Sequence, residues 1–282
     1  MFQSIFHLPL ASARDLAWEP SGRVLAGSAS GQSFLLTLHS RNVEWLPFLG
    51  LGPWSPEGDK VLALTQAHQV VVLAWPSLSV LAALPHQAWS WAGNNRLMAL
   101  APEGILWSDA PFEHQEAWET GEDPWQLFHS TEERALGIRW RPSLNRTELV
   151  SWKPGYALEV ATRPDLQTLR FQEWAWAEGN EAWAAIETQP DLLLRAWSHP
   201  WGHEQAQVRR ERLAHHLIHA RTALLWLTPH EVRGWSMASQ EHHAYALDSD
   251  ASVGALAWHP PQHRLAVATR EGLEIIEVNP HG

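Results

Sequence analysis

One phrase recurs along this chain and limits what it can fold into: an apolar run ending in Trp, a turn, and a second apolar run. It reads LAWEPSGRVLAG at Leu16–Gly27, GPWSPEGDKVLAL at Gly52–Leu64 and LAWHPPQHRLAVA at Leu256–Ala268. Weaker copies lie at Trp89–Leu100, Leu127–Ile138, Trp174–Ile186 and Leu217–Leu227. The anchor positions are Trp18, Trp54, Trp91, Phe128, Trp176, His219 and Trp258, at spacings of 36, 37, 37, 48, 43 and 39 residues. A period near 40 marks a repeat architecture, in which each unit buries its apolar faces only against its neighbours.

A third apolar run follows in each unit, at Gln32–Leu38, Val70–Trp75, Ile105–Trp107, Tyr156–Ala161, Leu192–Trp197, Val232–Trp235 and Leu273–Val278. In six units a more polar fourth segment leads to the next anchor, as at Leu78–Leu84 and Leu166–Phe171. Pro, Gly, Asn and Asp punctuate these runs, so one unit reads as four short strands joined by turns. Runs such as VVVLAW at Val70–Trp75 do not alternate polar with apolar. A half-exposed strand would alternate, whereas one in a sheet stacked between two others is apolar throughout. The chain has 19 Trp against 2 Tyr. Flat indole rings fill the gap between stacked sheets, each burying roughly 150–250 Å², provided the ring N–H finds an acceptor such as a turn carbonyl. In Trp18-Glu19-Pro20-Ser21-Gly22 and Trp54-Ser55-Pro56-Glu57-Gly58, Pro fixes φ early in a tight turn and Gly two residues later supplies positive φ.

The W-x-P-x-G phrase, the V-L-A run and the later strand ending in Trp resemble WD-repeat propellers and the related TolB-type repeat. The resemblance spans the chain and is strongest in units one, two and seven. It implies an all-β fold, a closed seven-bladed β-propeller of four-stranded blades forming a single domain over residues 1–282. The last unit carries three strands, so the resemblance also implies that the N-terminal strand, residues 2–10, completes the blade at 252–282. Such closure removes free sheet edges. The match departs from full WD repeats: no unit has Gly-His before its first strand, and none ends its third strand in Trp-Asp. Trp107-Ser108-Asp109 comes nearest. Two regions fit loosely. Unit four has about ten surplus residues near Arg141–Lys153, read as a protruding hairpin, and Ile138–Pro142 offers an alternative place for the phrase. Gln205–Ala220 reads as strand plus loop, with a short helix as the alternative.

Composition narrows the function. The chain is 45% apolar and 18% charged, which is globular, and its net charge of −11 disfavours nucleic acid and anionic membrane as partners. It has no Cys, hence no disulfide partner, thiolate metal site or Cys nucleophile. No run approaches the roughly 20 apolar residues of a membrane span. The N-terminal MFQSIFHLPLASA lacks a basic n-region and is read as a strand, which leaves a cytoplasmic location as the expectation.

Candidate chemistry is sparse. No GxSxG, phosphate loop or HExxH occurs, so no catalytic residue, cofactor or metal ligand is assigned. On a strand His215 and His219 would share a face where two imidazoles could bind a metal, but no carboxylate is fixed beside them by sequence, and they read as structural or surface histidines. His242, His243, His259 and His263 read likewise as structural or surface histidines. The inner strands offer Arg14, Asp15, Arg139 and Glu173 at scattered positions, and Arg195 and Arg233 read as paired with neighbouring acids or snorkelling to solvent, not as catalytic. Charge placement points outward. Glu116 and Glu119 surround Trp118 in an acidic stretch, and Arg209, Arg210 and Arg212 follow Trp201. Trp and Arg in exposed segments dominate interface energies. The expected function is a non-catalytic protein–protein interaction platform, a subunit or accessory factor of a larger complex, with those seven residues as its protein-binding candidates. The alternatives are a hydrolase or lyase with a site at the channel mouth, and a propeller that binds a small ligand.

Overall fold

The computed structural model describes residues 2–85, 89–101, 104–113, 116–119, 125–130, 134–153, 156, 159–161, 170–176, 183–189, 193–198, 204–209, 215–220, 222–248 and 255–279. Among these the secondary structure is β-strand, apart from 3-10 turns at Pro142–Leu144 and Pro260–Gln262. In chain order, β1 is Phe2–Leu8. Strands β2 (Arg14–Trp18), β3 (Val24–Ala29), β4 (Gln32–Thr37) and β5 (Asn42–Leu46) make one sheet. The next holds β6 (Phe48–Trp54), β7 (Lys60–Thr65), β8 (Val70–Ala74) and β9 (Val80–Leu84). A third holds β10 (Ser90–Trp91), β11 (Arg96–Ala101), β12 (Gly104–Asp109) and β13 (Glu116–Glu119). A fourth holds β14 (Trp125–Ser130), β15 (Ala135–Arg141), β16 (Arg146–Trp152) and β17 (Glu159–Ala161). A fifth holds β18 (Arg170–Trp176), β19 (Trp183–Gln189), β20 (Leu193–Trp197) and β21 (Glu204–Arg209). A sixth holds β22 (His215–His219), β23 (Ala223–Leu227), β24 (Glu231–Ser236) and β25 (His242–Ala246). The seventh is β26 (Leu256–His259), β27 (Arg264–Ala268) and β28 (Leu273–Val278), with β1 beside β28. The anchor residues fall at or near the ends of the first strands.

The chain forms two compact units, one of residues 1–18, 27–30 and 170–282, the other of 19–26 and 31–169. Each has its core between consecutive sheets. In the first unit, Ile186, Leu194 and Val208 pack with Leu217, Leu224 and Trp226. Leu225, Leu227 and Val232 pack instead with Leu265, Val267, Ile276 and Val278. In the second unit, Leu62, Val72 and Leu84 pack with Trp89, Leu97 and Ala99, while Met98, Ile105 and Trp107 pack with Ala135, Val150 and Trp152. Successive residues of one strand therefore enter different cores. Leu224 and Leu225 on β23, or Leu97 and Met98 on β11, point to opposite faces, and both faces are dry. This is why β23 is buried at all five positions while the fourth strand β25 alternates exposed and half-buried.

The turn chemistry follows the sequence. Gly22 and Gly58 have φ of 68° and 75°. Their N–H groups donate to Glu19 O at 2.8 Å and Ser55 O at 2.9 Å, closing the Pro-containing turns. The N-terminal strand completes the last sheet: β1 runs antiparallel to β28, from Phe2 opposite Val278 to Leu8 opposite Leu273. His7 lies against the backbone of Gly272, where an added Cβ would sit 1.9 Å from His7 Nε2 and 2.6 Å from Leu8 O. The described residues of Gln205–Ala220 lie on β21 and β22 and the residue after it, so strand is observed there.

The fourth repeat differs from its sequence reading. Arg146–Trp152, taken as surplus, is its third strand, and the fourth strand is Glu159–Ala161, within the run assigned as the third. Arg170 and Phe171, placed in the fourth segment, begin the next sheet. The reason lies in the turn. Pro142–Leu144 is followed by Asn145 at φ 48°, and Pro260–Gln262 by His263 at φ 49°. Both are introduced by Trp-x-Pro, at Trp140 and Trp258. The phrase encodes a tight left-handed exit from a 3-10 turn, and this turn joins second to third strand in one sheet but first to second in the other.

Candidate interaction surface

The fourth strands, and β1 in the last sheet, are the outer edges of the sheets, and large apolar side chains are exposed there. Trp45 on β5 is 47% exposed, Val80 and Leu81 on β9 are 64% and 49%, and Val160 on β17 is 43%. Ile5 on β1 joins them at 38%. Of the residues singled out from sequence, Glu116, Trp118 and Glu119 lie on β13, in register with Trp107, Ile105 and Gly104. Arg209 ends β21 opposite Leu193. Trp201, Arg210 and Arg212 lie outside the described residues. The placement of β13 and β21 at sheet edges matches the expected outer position.

Three of the ionisable candidates have local partners. Arg14 and Asp15 are exposed on β2, and Asp15 Oδ2 accepts from Ser28 Oγ at 2.6 Å. Arg195 donates to Glu204 at 2.7 Å and Arg233 to Glu231 at 2.8 Å, as the sequence reading expects. Glu173 lies on β18. The shared face expected of His215 and His219 is not formed. His215 pairs with Leu227 but Ile218 with Leu225, so one extra residue sits on β22, at His216 with φ 52°. That bulge reverses the alternation. His215 and His219 therefore lie on opposite faces, which removes the shared-face geometry. His219 is buried beside Leu217 and Leu224, both ring nitrogens lack a hydrogen-bond partner, and burial pushes its pKa down to about 4. His259 and His263 pack against the indoles of Trp18 and Trp258 at centroid distances of 5.8 and 6.2 Å.

Two buried carboxylates were not legible as sites. Glu274 on β28 accepts from the Tyr245 hydroxyl at 3.1 Å and the Asp248 N–H at 3.3 Å. Glu148 on β16 is 1% exposed. It accepts from Arg139 Nε and Arg146 Nε, each at 2.7 Å. Burial raises its pKa, but the hydrogen bonds and charges of the two guanidiniums outweigh this and hold it below the usual value. The signal existed in the spacing Arg139-x-Arg141 and Arg146-x-Glu148, which places all four side chains on one face of a hairpin.

No family model matches the chain, and no curated protein matches it. Solved structures do. The Cps50 (Swd1) β-propeller domain of Myceliophteria thermophila superposes with a TM-score of 0.75 at 12% identity, covering 99% of this chain and 100% of that one. A chain of a mitotic checkpoint complex superposes with a TM-score of 0.66 at 16% identity, covering 98% of this chain and 93% of that one. The likeness establishes the fold. The chain is a seven-bladed β-propeller with WD-repeat-like units, its N-terminal strand built into the last blade.

Proposed function

We propose that this chain is a non-catalytic interaction platform, a cytoplasmic subunit or accessory factor of a protein complex, acting as one propeller domain. The observation that carries this reading is the exposure of Trp45, Val80, Leu81 and Val160 on outer strands, beside buried cross-strand partners such as Phe34, Leu73 and Val150. Large apolar side chains at sheet edges are the residues a partner covers. Glu116, Trp118, Glu119 and Arg209 extend this surface on β13 and β21, with Trp201, Arg210 and Arg212 as further candidates. The similarity to a chain from a mitotic checkpoint complex supports the same reading at the level of fold. Tagged purification from the native host in mild salt, followed by mass spectrometry, tests it. A partner recovered at near-stoichiometric level is expected, and its absence overturns the proposal.

A further inference from the structure

One long stretch of this chain is without charge. Residues 61–95 hold no Asp, Glu, Lys or Arg, although these four types make up 18% of the sequence and the net charge is −11. The stretch supplies β8, β9 and all of β7 after Lys60. The charges that flank it are paired: Lys60 with Asp59 at 2.7 Å, and Arg96 with Asp109. The outer strand of this sheet, β9, consists of Val80, Leu81, Ala82, Ala83 and Leu84 alone. Other outer strands carry acids: Glu44 on β5, Glu116 and Glu119 on β13, Glu159 on β17 and Glu204 on β21. Charged side chains on an outer strand keep other chains from settling there, and β9 has none.

Register gathers the exposed side chains of β9. Val80 stands opposite Leu73 and Ala83 opposite Val71, with an extra residue, Leu81, inserted after Val80. Leu73 and Val71 are two apart and share a face, so Val80 and Ala83 share one as well, although they are three apart. Val80 is 64% and Leu81 49% exposed, and Ala83 is exposed. Leu84 is buried, packed with Trp89 and Leu97 of the following sheet. The bulge also turns the strand away from regular strand addition, so β9 offers side chains rather than a hydrogen-bonding ladder. Two large apolar groups stand there beside a small one.

We infer that β9 docks on the β9 of a second copy of this chain, about a twofold axis near Ala82. Charge selects the occupant. Two chains of −11 repel each other, and outer strands such as β5 or β13 would bring Glu against Glu, whereas β9 meets its own copy with no like charge. A different partner would be steered and oriented by charged groups, and β9 supplies none. A twofold interface needs none, because the same patch stands on both sides and only its shape has to match. Antiparallel approach about Ala82 sets Leu81 of one copy over Ala83 of the other, so large meets small twice. The inference rests on the platform reading, of whose exposed surface it takes the β9 part and names the occupant.

The test is analytical ultracentrifugation of the purified full chain. The mass should rise from 31.9 kDa toward twice that value as concentration increases. Association should tighten as salt is raised, because screening weakens the repulsion between two acidic chains. Val80→Ser, a mild change at an exposed position, should weaken the dimer about tenfold or more. Leu81→Glu and Leu81→Lys should each be monomeric alone, while an equal mixture of the two should recover the dimer, since opposite charges then face each other across the axis. Val160→Glu, on the outer strand β17, should leave association unchanged. A parent chain that stays monomeric at every concentration overturns the inference, as does open-ended aggregation in place of a dimer. Equal association by the parent and Leu81→Glu overturns it, and so does a mixture of the two charged variants that associates no better than either alone. Loss of the dimer in Val160→Glu overturns it in favour of another face. The native-host capture keeps the two proposals apart. A monomer that still captures a partner overturns the β9 dimer and leaves the platform standing. A dimer that captures no other protein overturns the platform and supports the β9 contact.

Discussion

Trp18 donates its indole Nε1–H to the backbone carbonyl of Ala257 at 3.0 Å, across 239 positions of sequence. Ala257 immediately precedes Trp258, the anchor of the last repeat. Trp91 repeats the relationship, donating at 3.0 Å to Pro53 O, which immediately precedes the anchor Trp54. The anchor indole is thus a staple: its ring fills the gap between first strands and its N–H satisfies a carbonyl of the preceding sheet. Trp54 breaks the pattern. It packs edge-on against Trp75 at 5.5 Å, and its buried Nε1 has no hydrogen-bond partner. Trp18→Phe should therefore lose the bond as well as ring volume, costing on the order of 2 kcal/mol. Trp54→Phe loses volume but sheds an unpaired donor, so its cost should be about 1 kcal/mol smaller. Denaturant titration of the two variants checks this, and equal losses would contradict the staple.

Gly272 makes a sharper prediction about how the N-terminal strand is held. A methyl group there would press into the His7 ring, which can rotate away, and into Leu8 O, which cannot move without dragging β1 off β28. Gly272→Ala should lower the melting temperature and open residues 2–8 to proteolysis. Adding His7→Ala should restore little, because the backbone clash at Leu8 remains. Full rescue by the double variant would show that β1 adapts and that Gly272 serves only the imidazole. Deleting residues 1–8 should expose the β28 edge and promote aggregation, visible by light scattering.

The strand order of six sheets was legible because each strand pair is joined by a turn whose chemistry is local. Gly22 and Gly58 announce positive φ, and unbroken runs such as Val70–Trp75 announce burial on both faces. The fourth repeat was not legible because Trp140-x-Pro142 is the same local signal as Trp258-x-Pro260, used one strand later. Only the pairing partners, set by long-range contacts, tell the two apart. The bulge at His216 was hidden for a similar reason, since a residue outside Gly or Asn gives no notice of a left-handed φ. Outer-strand placement of Glu116, Trp118, Glu119 and Arg209 was legible from unit order. The Glu148 cluster escaped notice when its strand was read as surplus.

Glu148 offers a test of how much the buried ions matter. With a side chain 1% exposed between Arg139 at 10% and Arg146 at 34%, removing the carboxylate leaves Arg139 charged and mostly desolvated. Glu148→Gln should cost on the order of 3–5 kcal/mol, as expected for breaking a buried pair. Replacing Arg139 by Met together with Glu148 by Leu should recover most of that loss, since a dry apolar pair has no desolvation cost to offset. If the double variant is less stable than Glu148→Gln alone, the charges contribute more than their burial costs. Chemical denaturation of both proteins decides.

His219 fixes the acid side of the stability profile. In the unfolded chain its imidazole titrates near 6.5, while in the folded chain burial lowers the value to about 4. Between these values the unfolded state binds the proton and the folded state does not, so stability falls as pH drops. The loss begins below about 6.5, is complete near 4, and amounts to on the order of 3 kcal/mol for a shift of this size. Glu148 acts in the same direction at lower pH. Its depressed pKa contributes stability that is present above the usual carboxylate range and lost as pH falls through it. The two contributions separate by substitution. His219→Phe keeps an aromatic ring at the anchor position and removes the titration, so its unfolding free energy should be flat between pH 6.5 and 5 where the parent declines. At neutral pH the variant should be at least as stable, because two unpartnered ring nitrogens are replaced by carbon. A variant whose stability declines in parallel with the parent over that interval would move the acid sensitivity to another group.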